Sequence, residues 1–380
     1  KNKTLTLHKI LIFTDCYVPA YKAGGPVTSI KNLVKLLRKD FDFFVVCGDR
    51  DLGDTKPYAD LGINEWQKGI NGEQILYLAP NNCTKKIYNN IIEVIKPNTI
   101  YYNSLFSKNF TLKPILYYSN TGIKSFLSPR GMLHPAAFKI KKIKKLFFIN
   151  VVKRLPLFKK VIFLATDETE KKHILRHGFK NSIKILPNIP DLDLIEIPLK
   201  SKTIFNKAIT VSRIAPEKNS LLALEAIGKI KNPISYTWIG DSKDKVYFDV
   251  FMKKAKTLPS NITFNYLGAL PKALITENLF KNDIFFLPTL GENFGHAIYE
   301  ALALGLPCVI SNKTPFQSIE KSLAGFICEP NDMEGFITSL NKLFKLQDEA
   351  SINLYQTNAR NIAQDSFDAE NAALQYKEVW

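Results

Sequence analysis

The feature that most constrains this chain is a regular alternation of short apolar runs with longer segments of helical periodicity. The runs that we expect to form strands are 8–14, 41–48, 73–79, 98–104, 124–130, 160–166 and 183–188, followed by 207–213, 234–240, 262–268, 283–289, 306–311 and 325–330. Between the first two runs, the apolar residues of 30–37 recur at the spacing of one helix face. This alternation predicts parallel sheets with helices on both faces.

The strand-like runs fall into two series, separated by a polar stretch at 187–202. We therefore expect an α/β protein of two doubly wound, Rossmann-like domains that face each other across a cleft. The expected bounds are 1–190 and 201–360, with a helix in 361–380 that crosses back to the N-terminal domain. A length of 380 residues suits two cores better than one. Ligands of such sheets bind outside the carboxyl ends of the strands.

Composition excludes several classes of protein. Hydrophobic residues make up 46% of the chain, which is ordinary for a globular protein. No apolar run reaches eighteen residues, and the N-terminal stretch lacks the pattern of a secretory signal, so we expect neither a spanning helix nor export. The five cysteines are widely spaced without a CxxC pair, which argues against a disulfide framework or structural zinc and favours a cytoplasmic location.

The segment 288–307, PTLGENFGHAIYEALALGLP, is the most specific part of the sequence. A strand ends at Pro288, a loop carries Glu292, and a helix is expected from His296 to about Leu304. Gly295 would let a ligand approach backbone amides, and the helix N-terminus that follows favours an anion. Glu300, inside that helix, can accept hydrogen bonds from sugar or ribose hydroxyls.

ENFGHAIYE resembles the E-x7-E signature of retaining GT-B glycosyltransferases of glycosyltransferase family 4. The resemblance implies metal-independent transfer of a sugar from a UDP- or GDP-sugar, with no cofactor. The amides of Asn293, Phe294 and Gly295, together with Glu300, would bind the donor. Glu292 would orient the donor sugar or stabilise oxocarbenium-like charge. The likeness also implies a saccharide or lipid-linked acceptor, in the synthesis of bacterial surface polysaccharide or lipopolysaccharide.

Three further segments match the family. Arg213 and Lys218 follow the strand at 207–213, where the family's arginine and lysine hold the donor diphosphate and stabilise its charge as the glycosidic bond breaks. Gly24 and Gly25, after the first strand, take the place of a glycine loop whose amides face the donor phosphate or the acceptor. In the segment 126–148 the family's histidine is replaced by Arg130.

Arg130 is therefore expected to contact the donor or the acceptor. His134, four residues later, is the alternative for the histidine's role, and the sequence leaves open which of the two acts. Asp15 and Tyr17, at the end of the first strand, are also expected to face the ligand.

The positive charge is confined to one half of the chain. Residues 1–195 contain 32 basic and 15 acidic side chains, a net charge of +17, whereas 196–380 contain 20 of each. The segment 139–160 has nine Lys or Arg, no acid and interleaved apolar residues, which suits a helix lying on an anionic membrane surface. The residues expected at that surface are Lys141, Lys142, Lys144, Lys145, Lys153 and Arg154. The absence of a nucleic-acid motif argues against a nucleic-acid partner.

The sequence also bears on metal binding and on alternative functions. The three D-x-D triplets, 40–42, 49–51 and 191–193, are interpreted as loop acids, so no metal site is expected. Two alternatives to a transferase remain at this point. One is a GT-B nucleotide-sugar epimerase, and the other is a non-catalytic nucleotide-sugar-binding subunit of a saccharide assembly complex. Turnover of the donor would separate them.

Overall fold

A computed structural model describes residues 7–118, 121–135, 138, 142–199 and 201–380. The chain divides into two compact units. Unit 1 contains the described residues up to Ile189 together with Ala369–Trp380, and unit 2 is Pro190–Asp368. The last helix of the chain therefore belongs to unit 1. Residues 361–365, expected to cross back with it, instead end a helix of unit 2, where Ile362 and Ala363 are buried.

Unit 1 is built on an eight-stranded sheet whose order is β3-β4-β2-β1-β5-β6-β7-β8. Its strands are β1 (His8–Thr14), β2 (Phe41–Gly48), β3 (Trp66–Lys68), β4 (Gln74–Leu78), β5 (Thr99–Asn103), β6 (Lys124–Ser128), β7 (Ile162–Ala165) and β8 (Ile183–Ile185). Its helices are α1 (Gly25–Leu37), α2 (Lys85–Ile95), α3 (Lys113–Tyr118), α4 (Lys142–Val152), α5 (Pro156–Lys159), α6 (Glu168–Arg176) and α13 (Ala369–Val379). Every strand pair is parallel except β3 with β4.

Unit 2 is built on a six-stranded, fully parallel sheet whose order is β11-β10-β9-β12-β13-β14. Its strands are β9 (Lys207–Val211), β10 (Ile234–Ile239), β11 (Ile262–Tyr266), β12 (Ile284–Leu287), β13 (Cys308–Ser311) and β14 (Gly325–Cys328). Its helices are α7 (Ser220–Gly228), α8 (Lys245–Ala255), α9 (Lys272–Lys281), α10 (His296–Ala303), α11 (Met333–Phe344) and α12 (Glu349–Asp365).

The cores lie where the sequence pattern predicts them. The central strands β5 and β12 are buried along their whole length, as expected of parallel strands with a helix layer on each face. The apolar face predicted for 30–37 is buried in α1. The prediction of an α/β protein with two parallel-sheet domains is therefore confirmed.

Candidate active site

The predicted donor residues of unit 2 lie at one edge of its sheet. The strands β9, β12 and β13 are neighbours, and the carboxyl ends of parallel strands lie at the same edge. The loops that follow these strands are bonded to one another. Leu290 N donates to the Glu217 carbonyl oxygen at 2.9 Å, and Glu292 N donates to the Lys313 carbonyl oxygen at 2.9 Å. Residues far apart in sequence are thus held side by side.

Lys218 and Glu292 form an ion pair between the first two of these loops. Lys218 ends a short 3-10 turn, Pro216–Lys218, and both side chains are largely withdrawn from solvent. Because Glu292 has a cation against it, its carboxylate is held in one place. In such a pair the cation can bind phosphate, and the fixed carboxylate can stabilise a positive charge that develops beside it.

Arg213 is the more accessible of the two predicted cations. Its side chain is 43% exposed, and Nη2 donates to Glu217 Oε1 at 3.0 Å. A surface ion pair of this kind is weak. A diphosphate can therefore attract Arg213 away from Glu217.

The N-terminus of α10 follows directly after Asn293, Phe294 and Gly295. Gly295 has φ of +78° and occupies the N-cap, where a side chain would be strained and would approach Ile298 Cδ1 to 3.2 Å. No side chain of the described residues caps this terminus. The amides at the start of this helix and the helix dipole favour an anion there.

Glu300 lies within α10 and is buried, with 6% of its surface exposed. Its carboxylate pairs with Lys272, the first residue of α9, and Asp191 Oδ2 lies 3.8 Å from the same ammonium. The neighbouring Tyr299 is also buried, and burial, helped by the charge of Asp191, raises the pKa of its hydroxyl. The sequence indicated Glu300 but not Lys272 or Tyr299, and it treated Asp191 as an ordinary loop acid.

In unit 1, Gly24 and Gly25 begin α1. Gly24 has φ of +66°, is exposed, and has open space where a side chain would be. Among the described residues no side chain caps this helix either. The first turn of α1 is therefore open to an anion, and binding of the donor or the acceptor by Gly24 and Gly25 stays a prediction.

Arg130 is held by a network inside unit 1. Its Nε donates to Asn103 Oδ1 at 2.7 Å, Nη2 donates to the Tyr101 hydroxyl at 2.6 Å, and Nη1 donates to Asn188 Oδ1. Arg130 itself has φ of +53°, which is costly for a residue with a side chain. The buried carboxylate of Glu170 fixes the turn by accepting from Gly131 N at 2.6 Å. Asn188, which closes this network, has no role predicted from the sequence.

His134 lies in the turn that follows Arg130. Its ring meets that of His173 edge-on, with centroids 5.2 Å apart, and His177 stacks on Phe138. Burial lowers the pKa of both His173 and His177. The structure thus places the ring of His173 against that of His134, a contact that the sequence did not predict.

Asp15 and Tyr17 differ in their environments. Tyr17 is fully buried, and its hydroxyl donates to Glu73 Oε1 at 2.8 Å, so the expectation that it meets a ligand is wrong. Asp15 accepts from the Ser107 hydroxyl at 2.6 Å and lines a cavity of about 250 Å³ with the 49–54 loop. Burial raises the pKa of Asp15, and the Ser107 bond opposes this.

The acids of the 49–51 triplet are engaged with other groups of unit 1. Asp49 pairs with Arg50, and Asp51 accepts from Tyr21 N and Lys22 N at 2.8 and 3.1 Å. Within the described ranges, no three His, Cys, Asp or Glu side chains are grouped so as to hold a metal ion.

The basic segment forms α4 and the turn after it, with Lys141 outside the described residues. Lys142, Lys144 and Arg154 are exposed. Lys145 instead lies over the rings of Phe106 and Phe138, and Lys153 is half-buried, so these two are not simple surface cations.

The same helix carries apolar side chains in solvent, since Ile143 is 83% and Phe147 73% exposed while Ile149 and Val152 pack inward. No helix in the described part of the chain is long and apolar enough to cross a membrane.

Residues 198–361 match the family described as "Glycosyl transferases group 1". A UDP-Gal:alpha-D-GlcNAc-diphosphoundecaprenol alpha-1,3-galactosyltransferase of Escherichia coli is 28% identical over 219 residues, which are 52% of this chain and 54% of that protein. Protein CapJ of Staphylococcus aureus is 24% identical over 277 residues, 64% of this chain and 69% of CapJ. The match thus spans about half the length of the first relative.

Solved structures resemble the whole chain. HepE from Anabaena, in complex with UDP and glucose, superimposes with a TM-score of 0.72 at 16% identity, covering 98% of both chains. Sucrose-phosphate synthase from Thermosynechococcus elongatus gives a TM-score of 0.71 at 14% identity, again covering 98% of both. The chain therefore has the GT-B fold, and its unit 2 carries the match to group 1 glycosyltransferases.

Proposed function

We propose that this protein is a retaining glycosyltransferase that moves a sugar from a UDP-sugar to a saccharide carried on a lipid diphosphate, in the synthesis of a bacterial surface polysaccharide. The observation that carries the proposal is the meeting of Arg213, Lys218, Glu292 and the α10 N-terminus at one sheet edge, inside the segment that matches group 1 glycosyltransferases. The UDP bound by HepE and the donor and acceptor named for the galactosyltransferase support the choice of substrates.

In this reaction the bond between the anomeric carbon and the diphosphate breaks, and a bond to the acceptor oxygen forms on the same face of the sugar. The departing phosphate oxygen takes the acceptor's proton. Arg213, Lys218 and the α10 amides stabilise the charge left on the diphosphate. Glu292, fixed by Lys218, steadies the positive charge on the sugar, and Glu300 binds ribose hydroxyls. Unit 1 binds the acceptor, with Arg130 and His134 at the end of β6.

Donor binding is tested first by thermal stabilisation with UDP, GDP, ADP and CMP, each with and without EDTA. We expect UDP to stabilise the protein, by about 2.7 kcal/mol at 100 times its dissociation constant, and EDTA to have no effect. Arg213→Ala should abolish most of this stabilisation, whereas Lys281→Ala, which removes an exposed ion pair with Glu277, should not. Stabilisation by GDP alone would overturn the choice of base, and dependence on a divalent metal would overturn the metal-free reaction.

Turnover is tested with UDP-galactose and UDP-glucose and a lipid-diphosphate N-acetylglucosamine acceptor. We expect a disaccharide product whose new linkage is α, read from its anomeric proton by NMR. A β linkage contradicts retention. Binding of UDP without any turnover favours a non-catalytic binding subunit, and conversion of the donor to another sugar nucleotide favours an epimerase.

We also propose that α4 rests on an anionic membrane surface. Exposed Ile143 and Phe147 can insert among the lipid chains while the cations beside them meet the head groups, at about 1 kcal/mol per cation. We expect the protein to sediment with vesicles of phosphatidylcholine and phosphatidylglycerol but not with phosphatidylcholine alone. The double variant Ile143→Ser, Phe147→Ser should lose this binding. Val246→Ser, which changes an equally exposed side chain of unit 2, should keep it.

A further inference from the structure

A partly buried polar cluster in unit 2 contains more hydrogen-bonding capacity than the described residues satisfy. Its members are Asp191, Lys272, Tyr299 and Glu300. Tyr299 is fully buried, and among the described residues its hydroxyl has no hydrogen-bond partner. The Lys272 ammonium is also shielded from solvent. It lies within ion-pair distance of two carboxylates, but no acceptor in the described part of the chain meets it with hydrogen-bond geometry.

The place of Lys272 in its helix is unfavourable by itself. It is the first residue of α9, where the positive end of the helix dipole repels a cation. Two carboxylates compensate, one from the α10 helix and one from the segment at the start of unit 2. Burying an ion pair in this way rarely adds stability over an apolar pair. The arrangement therefore calls for a ligand that uses it.

We propose that Lys272 is a specificity-determining residue that reads the ribose hydroxyls of the donor nucleotide together with Glu300. This deepens the proposed function and rests on it. One ribose hydroxyl accepts a hydrogen bond from the Lys272 ammonium, and a hydroxyl of the same diol donates to the Glu300 carboxylate. Asp191 holds the ammonium from its other side.

A vicinal diol fits this pair because each hydroxyl both donates and accepts, whereas the ammonium only donates and the carboxylate only accepts. Removing one hydroxyl leaves one of the two charged groups without its hydrogen bond to the ligand. Such an omission is penalised far more than the loss of an apolar group of the same size. A deoxyribose nucleotide should therefore bind about tenfold or more weakly.

The test compares the dissociation constants of UDP, 2′-deoxy-UDP and 3′-deoxy-UDP by titration calorimetry. We expect the wild-type protein to prefer UDP over at least one deoxy analogue by about tenfold or more. Lys272→Met should reduce that preference to about twofold or less, while Lys272→Arg should keep most of it. The ratio of two ligands within one variant is insensitive to a general loss of stability. Lys254→Met, which breaks an exposed ion pair with Glu225, is the matched control and should leave the ratio unchanged.

The outcomes separate a failure of the role of Lys272 from a failure of the proposed function. If Lys272→Met binds UDP and keeps the full preference, Glu300 reads the ribose alone and the role of Lys272 is wrong. A wild-type protein that does not distinguish the three ligands would show that neither Lys272 nor Glu300 reads the ribose hydroxyls, and the inference would be wrong. If the wild-type protein binds none of them, the proposed function fails, and this inference fails with it. Should Lys272→Met not fold, Lys272→Gln provides the same comparison with a neutral side chain.

Discussion

At the scale of single residues, the charged groups of the candidate donor site are engaged with one another. Lys218 faces Glu292 and Arg213 faces Glu217, and the Arg213 side chain is far more exposed than that of Lys218, 43% against 17%. A ligand can therefore reach Arg213 more readily than Lys218, because solvent already screens its guanidinium. Lys218 is paired with Glu292, so a phosphate bound to Lys218 would lie next to that carboxylate. We infer that the two cations act differently, with Arg213 as the adaptable one.

The histidines of unit 1 lead to a prediction about pH. Burial lowers the pKa of His173 and His177 from 6.5, and the cations Arg176 and Lys153 add to this, although Glu170 and Asp167 oppose it at His173. The unfolded chain then binds protons more readily than the folded one below about pH 6.5. Stability should therefore be complete above that pH and decrease as the pH falls through 6.5.

The measurement is the melting temperature of the protein at pH 7.5 and pH 5.5. The double variant His173→Gln, His177→Gln should show a smaller decrease between the two pH values than the wild-type protein. An identical decrease in both proteins would contradict the assignment and would point to other groups.

The site residues predicted from the sequence share one property. Each lies a few residues from a strand or helix that can be recognised in the sequence. Arg213 and Lys218 follow a recognisable strand, and Glu292 precedes a recognisable helix. Lys272 could not be found in this way. Its partner Glu300 lies on another helix, and their contact depends on how α9 and α10 pack against the sheet. The role of Asn188 could not be predicted for the same reason, since its contact with Arg130 joins distant parts of unit 1.

At the scale of elements, the junction between β12 and α10 positions most of the candidate donor site. The strand ends at Leu287 and the helix begins at His296, so a loop of eight residues presents Glu292 and then turns sharply at Gly295. That turn requires the left-handed conformation, which a glycine adopts without cost. The position of the helix amides therefore depends on this glycine.

Gly295→Ala should reduce donor binding more than it reduces stability. The left-handed conformation costs an alanine about 1–2 kcal/mol, and its Cβ would press on Ile298 and Phe316. We expect UDP to bind at least several-fold more weakly, as measured by calorimetry. Gly72→Ala is the control, because Gly72 also has a positive φ, +95°, but has open space around it. Equal weakening of UDP binding by both variants would contradict a local role for Gly295.

The elements themselves were largely predictable because parallel strands leave a strong apolar signal. The exception is β3, which was not predicted from the sequence. It has only three residues, Trp66–Lys68, and pairs antiparallel at the edge of the sheet, so it is neither long nor apolar enough to be distinguished from a loop. In α4 the apolar residues do not share one environment, since Ile143 and Phe147 are exposed and Ile149 is buried, and the sequence pattern did not distinguish them.

At the scale of the whole molecule, unit 1 is assembled from two separate stretches of sequence. The helix α13 lies beside α1, and Trp380 contacts the rings of Phe41, Phe43 and Tyr101. The first unit thus uses residues from both sides of unit 2 in the sequence. Its stability should depend on side chains that the sequence places more than 180 positions away.

Trp380→Ala should destabilise unit 1 by about 3–5 kcal/mol, the usual cost of removing a buried indole. Trp380→Phe should cost much less, because no described residue accepts a hydrogen bond from the indole nitrogen. Urea unfolding followed by circular dichroism measures both. Losses of equal size in the two variants would mean that the ring contacts are not what matters.

The interrupted course of unit 1 has a consequence for biosynthesis. A ribosome releases residues up to Ile189 long before it releases Tyr376 and Trp380, so the sheet surface around Phe41 and Tyr101 stays uncovered while all of unit 2 is translated. Unit 2 is continuous and can fold as soon as it emerges. The nascent first domain therefore keeps an aromatic surface accessible to chaperones until residues 369–380 have been translated and can cover it.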